Sequence, residues 1–418
     1  MSETKTKPFN ISKILVWKAF QLVKDNKGSH GVDQESISDF EKDLSKNLYK
    51  LWNRLSSGTY FPPAVKGVEI PKKQGGVRML GIPTVSDRIA QTVVKLAFEP
   101  CIEPHFLEDS YGYRPNKSAL DAVGVTRQRC WKYSWCLEFD IKGLFDNIDH
   151  ELLMKAVRKH TDNKWIILYI ERWLKAPMQK PDGEITSRNC GTPQGGVISP
   201  VLSNLFLHYA FDVWMTRKHK DNPWCRYADD GLVHCKTEGE AKEVYTELEQ
   251  RFAECKLEIH PEKTKIIYCK DGNRTGDYQN TKFKFLGYEF RRRTVKQRAT
   301  GELFLNFTPA ICKEAKKDIC RKIRRSGVRN RSDLSIEQVA DWLNPMIRGW
   351  INYYGKYTIS ALQPVMRQIN FTLIKWCKNK YKGLHRSKAK ACLFMIRMFE
   401  DRPYLFEHWK RGICSSFV

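Results

Sequence analysis

Apolar residues in the first quarter of the chain recur mainly at helical spacing. Residues 11–55 predict two amphipathic helical segments, and the glycine-containing stretch 27–31 breaks them because glycine disfavours a continuous helix. Residues 68–80 then predict a short basic hairpin whose turn is rich in lysine and glycine. Helical spacing returns at 86–99 and at 118–130. The N-terminal part is therefore predicted to be mostly helical, with one hairpin inserted.

The middle of the chain mixes strand and helix signals. Residues 135–141 alternate as a strand that enters a helix near His150, and a second hairpin is predicted around the turn at 181–183. A glycine- and proline-rich loop at 191–200 precedes an apolar helix, and 226–234 predicts a strand–turn–strand. This order predicts an α+β fold up to about Phe290.

Beyond Phe290 the pattern predicts basic helices. Thr308-Pro309 predicts a helix start, because proline is favoured in the first turn of a helix. Residues 311, 315, 319 and 323 form an apolar stripe at i+4 spacing. Ser335 with Gln338 predicts a capping box before a further helix.

Charge is the distinctive feature of the composition. The 418 residues suggest two or three domains, and 72 basic against 47 acidic residues give a net charge of +25. Residues 291–418 hold 28 basic and 9 acidic residues, a net charge of +19. Such an excess indicates a polyanionic partner, since binding phosphates releases counterions. A basic surface without a binding role is the alternative.

Cysteine use and the N-terminus bear on location. The 13 cysteines include no C-x-x-C pair, which argues against structural zinc. Residues 1–10 lack the apolar core of a signal peptide, and no apolar run approaches membrane-spanning length. We therefore expect a cytoplasmic protein with free thiols and no membrane partner.

Three aspartates are the candidate catalytic residues. Asp140 ends the strand predicted at 135–141, and Asp229 and Asp230 lie at the tip of the later strand–turn–strand. Carboxylates in such places suit two Mg²⁺ ions that activate a hydroxyl and neutralise a transferring phosphoryl group. Taken singly, each aspartate has an ordinary alternative, a solvated turn for the pair and a helix cap for Asp140.

Neighbouring residues strengthen that interpretation. Phe145 follows Asp140 closely enough for its ring to abut the sugar of a nucleotide, although a core aromatic is the alternative. Lys72 and Arg78 flank a glycine-rich turn, where cations can grip a triphosphate, or form a solvated basic hairpin. The glycines of residues 191–196 let the backbone approach a substrate closely.

Together these segments resemble the reverse transcriptases, and more narrowly the reverse transcriptase–maturases encoded by bacterial group II introns. The resemblance extends from about residue 28 to 410. It is carried by the following segments, in this order: 78–88 (RMLGIPTVSDR), 111–122 (YGYRPNKSALDA), 139–150 (FDIKGLFDNIDH), 191–200 (GTPQGGVISP), 227–230 (YADD), 257–265 (LEIHPEKTK) and 283–288 (FKFLGY). Residues 28–33 match the family's N-terminal extension, with Gln34 where glycine is frequent.

The resemblance implies roles for individual residues. The three aspartates and the backbone carbonyl of Ile141 would bind two Mg²⁺ ions, for which Mn²⁺ can substitute. The residues expected to contact the incoming dNTP are Lys72, Arg78, Phe145 as steric gate, Gln194 and Lys263, the last as proton donor to pyrophosphate. Phe285, Leu286 and Gly287 resemble the primer grip.

The basic C-terminal part resembles the thumb or maturase domain, carried by residues 342–354 (WLNPMIRGWINYY). Its aromatic residues suit either stacking on RNA or helix packing. The residues expected to bind RNA are Arg114, Lys313, Lys317, Arg321, Arg324, Arg325 and Arg348. The resemblance implies a right-hand polymerase with an N-terminal extension and fingers at 1–115, a palm with interleaved finger elements at 116–290 and a helical thumb at 291–385. The short basic segment at 386–418 is a candidate for DNA binding.

The expected function is RNA-directed DNA synthesis together with binding of a group II intron RNA, which promotes splicing and retrohoming. Its expected partners are the intron RNA, an RNA template with a DNA or RNA primer, target DNA and dNTPs, in a cytoplasm where the protein associates with the nucleoid. Because no paired C-x-x-C is present, we expect no zinc-dependent endonuclease domain. A splicing cofactor with a vestigial polymerase site, or a domesticated enzyme in DNA repair or phage defence, are the alternatives, and the oligomeric state stays open.

Overall fold

A computed structural model of the protein describes residues 7–71, 75–297 and 299–412. The chain divides into two compact units. The first contains the described residues of Met1–Ser118 and Leu137–Lys265, and the second those of Ala119–Cys136 and Ile266–Val418. The second unit thus includes residues 119–136 from the middle of the sequence. The predicted domain boundaries at 115 and 290 instead group these residues with 137–265.

Helices and strands alternate through most of the described chain. The helices are α1 (Lys13–Asn26), α2 (Ile37–Lys42), α3 (Leu44–Ser56), α4 (Val85–Ile102), α5 (Ala119–Lys132), α6 (Leu144–Asn147), α7 (His150–His160), α8 (Lys164–Lys175), α9 (Ser199–Leu207), α10 (Val213–Lys218), α11 (Glu238–Glu254), α12 (Lys313–Arg325), α13 (Ile336–Tyr354), α14 (Gln363–Lys380) and α15 (Lys388–Asp401). The strands are β1 (Val65–Pro71), β2 (Val77–Ile82), β3 (Trp135–Asp140), β4 (Met178–Gln179), β5 (Ile185–Thr186), β6 (Trp224–Tyr227), β7 (Asp230–Cys235), β8 (Lys265–Tyr268), β9 (Lys282–Phe285), β10 (Tyr288–Lys296) and β11 (Leu303–Ile311).

The N-terminal part of the first unit confirms the helices and the hairpin predicted there. Strands β1 and β2 pair antiparallel, and β1 also pairs with β4. The loop after α1 is tied to α4 by Arg88, whose guanidinium donates to the carbonyls of Lys27 (3.2 Å) and Ser29 (2.9 Å). Gln34 has φ 59°, a left-handed conformation that glycine adopts more readily than glutamine.

The middle of the first unit places β6, β7 and β3 side by side in one sheet. The ring of Phe139 on β3 packs with Phe211 and Phe252, at centroid distances of 5.0 and 5.8 Å. Gly231 on β7 lies directly against that ring, because a Cβ there would come within 2.0 Å of it. The glycine after the paired aspartates therefore lets β7 lie close to β3.

A three-stranded sheet in the second unit departs from the helical pattern predicted after Phe290. Strands β10 and β11 pair over nine residues each, and Pro309 lies opposite Phe290. The predicted helix start at Thr308-Pro309 is therefore wrong. Helix α12 begins at Lys313 instead, after Cys312 as N-cap. Proline is tolerated here because β11 is an edge strand, so one of its sides needs no ladder donor.

Helices α12–α15 enclose the core of the second unit. The stripe through Ile319 and Ile323 is buried, and the capping box of Ser335 and Gln338 forms as predicted. Phe406 and Trp409 are fully buried in the same core, and Trp409 Nε1 donates to Asn370 Oδ1 (3.1 Å). Two aromatic residues of the segment 386–418, which was predicted to bind DNA, therefore lie inside the helical core. No helix of the described residues combines the length and apolar character needed to cross a bilayer.

Candidate active site

Asp229 lies in a two-residue turn between β6 and β7, and Asp230 is the first residue of β7. Tyr227 pairs with Asp230 across the ladder, which leaves Ala228 and Asp229 in the turn. Ala228 has φ 56°, a conformation that non-glycine residues rarely adopt and that surrounding contacts must hold. Gly112 provides one of these contacts, because a Cβ there would lie 2.3 Å from the Ala228 nitrogen. The close packing of Gly112 against Ala228 therefore helps to hold the turn in this conformation.

Asp140 ends β3, as predicted, and lies beside the segment that carries Lys263. The Asp140 carbonyl accepts from the amide of His260 (2.8 Å), and Ile141 forms an antiparallel bridge with Ile259. The turn after His260 brings Lys263 Nζ to 2.7 Å from Asp140 Oδ2. The segment 257–265 thus contacts Asp140 directly through a backbone hydrogen bond and the Lys263 side chain.

The three carboxylates interact electrostatically. Loss of hydration, followed by the charges of Asp229 and Asp140, raises the pKa of Asp230 to about 7, although its side chain remains accessible at the turn. Loss of hydration and the Asp140 charge also raise the pKa of Asp229. Lys263 opposes both shifts. The site therefore favours an added positive charge, and carboxylate oxygens are ligands that Mg²⁺ prefers.

The carboxylates do not form a complete ligand cluster in this conformation. Within residues 7–71, 75–297 and 299–412, no three ligand-type side chains stand close enough together to hold a metal ion. Asp140 is instead paired with Lys263. The donor chemistry fits Mg²⁺, and the hydrogen bond of Lys263 to Asp140 involves the carboxylate oxygen Oδ2.

The glycine-rich loop at 191–196 lies against the segment that follows Asp140. The amides of Gly191 and Thr192 donate to the carbonyls of Ile148 (2.7 Å) and Phe145 (2.6 Å). Gly191 has φ 75°, and a Cβ there would collide with the Phe145 and Asp146 carbonyls. Close backbone contact is thus the reason for this glycine.

Arg78 and Gln194, which were predicted to contact a nucleotide, form a chain of hydrogen bonds with Asp146. Arg78 Nε donates to Gln194 Oε1, and Gln194 Nε2 donates to Asp146 Oδ2 (3.1 Å). The Gln194 carbonyl also accepts from the amide of Gly81 on β2 (2.7 Å). The structure therefore brings Arg78 and Gln194 together, and it adds Asp146, which sequence reasoning missed. Lys72, the other predicted cation, lies outside the described residues.

Phe145 lies on the short helix α6, five residues after Asp140. The residue is 8% exposed, so its ring is mostly packed against protein. Its carbonyl is held by the glycine-rich loop, as described above. The position is compatible with the steric-gate prediction and with the alternative of a core aromatic.

The predicted primer-grip residues form a tight turn in the second unit. Leu286 and Gly287 both have positive φ (51° and 80°) between β9 and β10, as in the turns favoured by two-residue hairpins. Tyr353 on α13 donates to the Leu286 carbonyl (2.8 Å), and Gly287 lies against the Tyr354 ring. At least these two tyrosines of the 342–354 segment therefore support the turn.

All of the predicted RNA-binding residues except Arg114 are exposed. Those on α12 are exposed, and at 100° per residue most of them lie opposite the buried face of Ile319 and Ile323. The exposed residues are Lys313, Lys317, Arg321, Arg324 and Arg325. Arg348 is exposed but donates to Glu407 (2.6 Å).

Arg114 differs from the other predicted RNA-binding residues. Its side chain is 7% exposed and donates to Glu103 and to the carbonyls of Leu107 and Ser110. The guanidinium is committed to the fold of the first unit. This geometry favours a structural role over contact with RNA.

Two family profiles match the chain. The profile of reverse transcriptase (RNA-dependent DNA polymerase) matches residues 70–290, more than half of the chain, and that of the group II intron maturase-specific domain matches 316–393. The chain belongs to the group II intron reverse transcriptase and maturase family. The two profiles include the three aspartates and most of the helical part of the second unit.

Curated relatives agree with this family. Protein YkfC of Escherichia coli (strain K12) is 31% identical over 319 residues, which are 66% of this chain and 80% of YkfC. The group II intron-encoded protein LtrA of Lactococcus lactis subsp. cremoris is 34% identical over 193 residues, 46% of this chain and 32% of LtrA. An uncharacterized 91 kDa protein in the cob intron of Schizosaccharomyces pombe is 25% identical over 84% of this chain and 50% of its own length.

One buried network behind the glycine-rich loop was not predicted from the family motifs. Gln91 Oε1 accepts from the amides of Val197 (2.7 Å) and Ile198 (3.3 Å), while its Nε2 donates to Asp87 (2.9 Å). Asp87 is buried and also accepts from Tyr60 and Trp173 (2.7 Å each). Burial raises the pKa of Asp87, and these three hydrogen bonds oppose the rise. The sequence signal was present in the segment 78–88, but its partners lie far away along the chain.

Proposed function

We propose that this protein is an RNA-directed DNA polymerase that transfers nucleotides from dNTPs to a primer 3′-hydroxyl and also binds a group II intron RNA to promote splicing and retrohoming. The supporting observation is the group of interacting carboxylates, Asp140 at a strand end and Asp229 and Asp230 on a tight turn. Residues 1–115 would form the N-terminal extension and fingers, 116–290 the palm with interleaved finger elements, and 291–385 the helical thumb.

The proposed chemistry needs Mg²⁺, with Mn²⁺ as a substitute. Two such ions would activate the primer hydroxyl and neutralise charge on the transferring phosphoryl group. Asp140, Asp229, Asp230 and the Ile141 carbonyl would hold them. Lys263, released from Asp140, is then free to donate a proton to pyrophosphate, and its pairing with Asp140 keeps it beside the site beforehand.

The nucleotide would be held by the hydrogen-bonded residues beside the glycine-rich loop. Arg78 offers a forked guanidinium suited to phosphate oxygens, and Lys72 would add a second cation. Gln194 links Arg78 to Asp146, so the loop and β2 act as one support. Phe145 would exclude a ribose 2′-hydroxyl.

Primer extension tests the proposal directly. We expect the purified protein to extend a DNA primer on an RNA template with dNTPs and Mg²⁺, and to lose activity when the metal is chelated. The measurement is full-length product resolved on a denaturing gel. Absence of product with both Mg²⁺ and Mn²⁺ would rule out the polymerase and leave the splicing cofactor, which an intron-splicing assay with the same preparation would detect.

The steric gate has its own test. In Phe145→Ala we expect selectivity for dNTP over rNTP to fall by at least about tenfold, because the ring no longer excludes the 2′-hydroxyl. Single-nucleotide incorporation with dNTP and rNTP in parallel measures this ratio. Phe145→Tyr, which keeps a ring of similar width, provides the control. Unchanged selectivity in Phe145→Ala would place the ring in the core rather than at the gate.

The second unit would hold the RNA. Among its described helices, α12 carries exposed basic residues, and the profile of the maturase-specific domain begins within this helix. Intron RNA and target DNA are both polyanions, so one basic surface can attract either. We propose the intron RNA as the ligand of α12.

A further inference from the structure

A fully buried arginine lies directly behind the aspartate turn, and the sequence did not single it out. Arg226 precedes Tyr227 on β6 and is 0% exposed. Its side chain is paired with Asp212, which is equally buried, through Nε to Oδ1 (2.7 Å) and Nη2 to Oδ2 (2.6 Å). Asp212 ends a π-helical turn, His208–Asp212, a rare geometry that occurs often at functional sites.

The remaining donors of Arg226 reach three other segments. Nη2 also donates to Ser110 Oγ (2.8 Å), and Nη1 donates to Asn204 Oδ1 (3.0 Å). The last hydrogen bond runs from Nη1 to the carbonyl of Ala228 (3.0 Å), the turn residue with positive φ. A guanidinium has five N–H donors in a fixed plane, and here every one is used.

Backbone hydrogen bonds of Arg226 and a second hydrogen bond of Asn204 also support the turn. The backbone of Arg226 exchanges hydrogen bonds with Asp109 (2.9 Å) and Tyr111 (2.8 Å), and Asn204 Nδ2 donates to the carbonyl of Gly112 (2.6 Å). Gly112 in turn lies against the Ala228 nitrogen. A side chain with fewer donors, such as lysine, cannot keep all of these contacts.

From this network we infer that Arg226 is the positioning residue of the aspartate turn: it holds Ala228 in its left-handed conformation and so fixes the backbone that carries Asp229 and Asp230, the residues that would hold the metal ions. This inference rests on the proposed function. If only a fraction of molecules has the turn correctly placed, the apparent dissociation constant of the metal rises in inverse proportion to that fraction. Arg226 itself touches neither metal nor substrate.

The test compares Arg226→Lys with a matched variant, Arg274→Lys. Arg274 forms a similar pair with Asp271 in the second unit (Nε to Oδ2, 2.8 Å) and also donates to the backbone carbonyls of Tyr133 and Cys130, but to no residue of the aspartate turn. Mn²⁺ binding is measured by electron paramagnetic resonance on the full chain with a dideoxy-terminated primer, template and dNTP. Primer extension against Mg²⁺ concentration is measured in parallel.

We expect Arg226→Lys to weaken Mn²⁺ binding about tenfold and to shift the Mg²⁺ dependence by a similar factor, with activity partly restored at saturating metal. Arg274→Lys should bind Mn²⁺ like the wild type, even if its melting temperature falls as much. Wild-type affinity in folded Arg226→Lys, or equal weakening in both variants, would overturn the inference. If Arg226→Lys does not fold, Ser110→Ala, which removes one acceptor and keeps the ion pair, decides: at least about twofold weaker binding supports the inference and wild-type binding overturns it. A wild type that neither binds Mn²⁺ nor extends primers would instead contradict the proposed function.

Discussion

Asp229→Asn is expected to lower primer extension by at least about 10³-fold while leaving the fold intact. The substitution keeps the size of the side chain but removes the negative charge that a divalent ion requires. A catalytic metal site lowers the barrier by several kcal/mol, and each 1.36 kcal/mol corresponds to a tenfold change in rate. The rate of single-nucleotide addition at saturating dNTP and Mg²⁺ measures the effect.

In Asp229→Asn we expect the thermal stability to stay equal or rise, although the primer-extension activity falls. Loss of hydration and the charge of Asp140 raise the pKa of Asp229, so its charged form is disfavoured in the folded, metal-free protein. A raised carboxyl pKa means that the folded state loses stability as pH rises through that range, so removing the charge should leave neutral-pH stability equal or higher. Thermal unfolding without metal measures this.

Asp182→Asn is the matched control for Asp229→Asn. Asp182 also lies in a hairpin turn of the first unit, but it is exposed and accepts only the local amide of Glu184 (3.0 Å) among the hydrogen bonds seen for it. It represents the solvated turn that is the ordinary alternative for an aspartate. We expect wild-type primer extension from it. Equal primer extension by Asp229→Asn and Asp182→Asn would show that Asp229 is a solvated turn residue without a catalytic role.

The local parts of the site could be predicted because short-range patterns determine them. Alternation in 135–141 predicted the first strand, and the paired aspartates before Gly231 predicted the turn of the strand–turn–strand at 226–234. The structure confirms these elements. Their side-chain periodicity depends on neighbouring residues alone, and a two-residue turn leaves little freedom in register.

Contacts between distant segments could not be predicted in this way. The π-helical turn gives no hydrophobic signal, so nothing in the pattern indicated that Asp212 would pair with Arg226. Strand β11 was missed because Thr308-Pro309 is also a good helix start, and only its pairing with β10 excludes that. The basic segment 386–418 was a candidate for DNA binding, and nothing in its pattern indicated that Phe406 and Trp409 would be buried in the helical core.

The largest effect on RNA binding is expected from reversing the exposed basic stripe of α12. We expect a variant with Lys313, Lys317, Arg321 and Arg324 all changed to glutamate to bind the intron RNA roughly 10³-fold more weakly, at about 1 kcal/mol per lost phosphate contact. The slope of log affinity against log salt should also flatten by about 0.7 to 0.9 for each contact removed. Filter binding at several salt concentrations measures both quantities.

A comparison within the same helix separates a binding face from net charge. Lys317 lies opposite the buried residues Ile319 and Ile323. Lys322 is also exposed, but it lies about 140° from Lys317 around the helix axis. Lys317→Glu and Lys322→Glu change the net charge by the same amount. We expect only Lys317→Glu to flatten the salt slope, with primer extension on a short unstructured template unchanged in both variants. Equal effects of the two substitutions would mean that the second unit attracts RNA through its total charge, without a defined binding surface on α12.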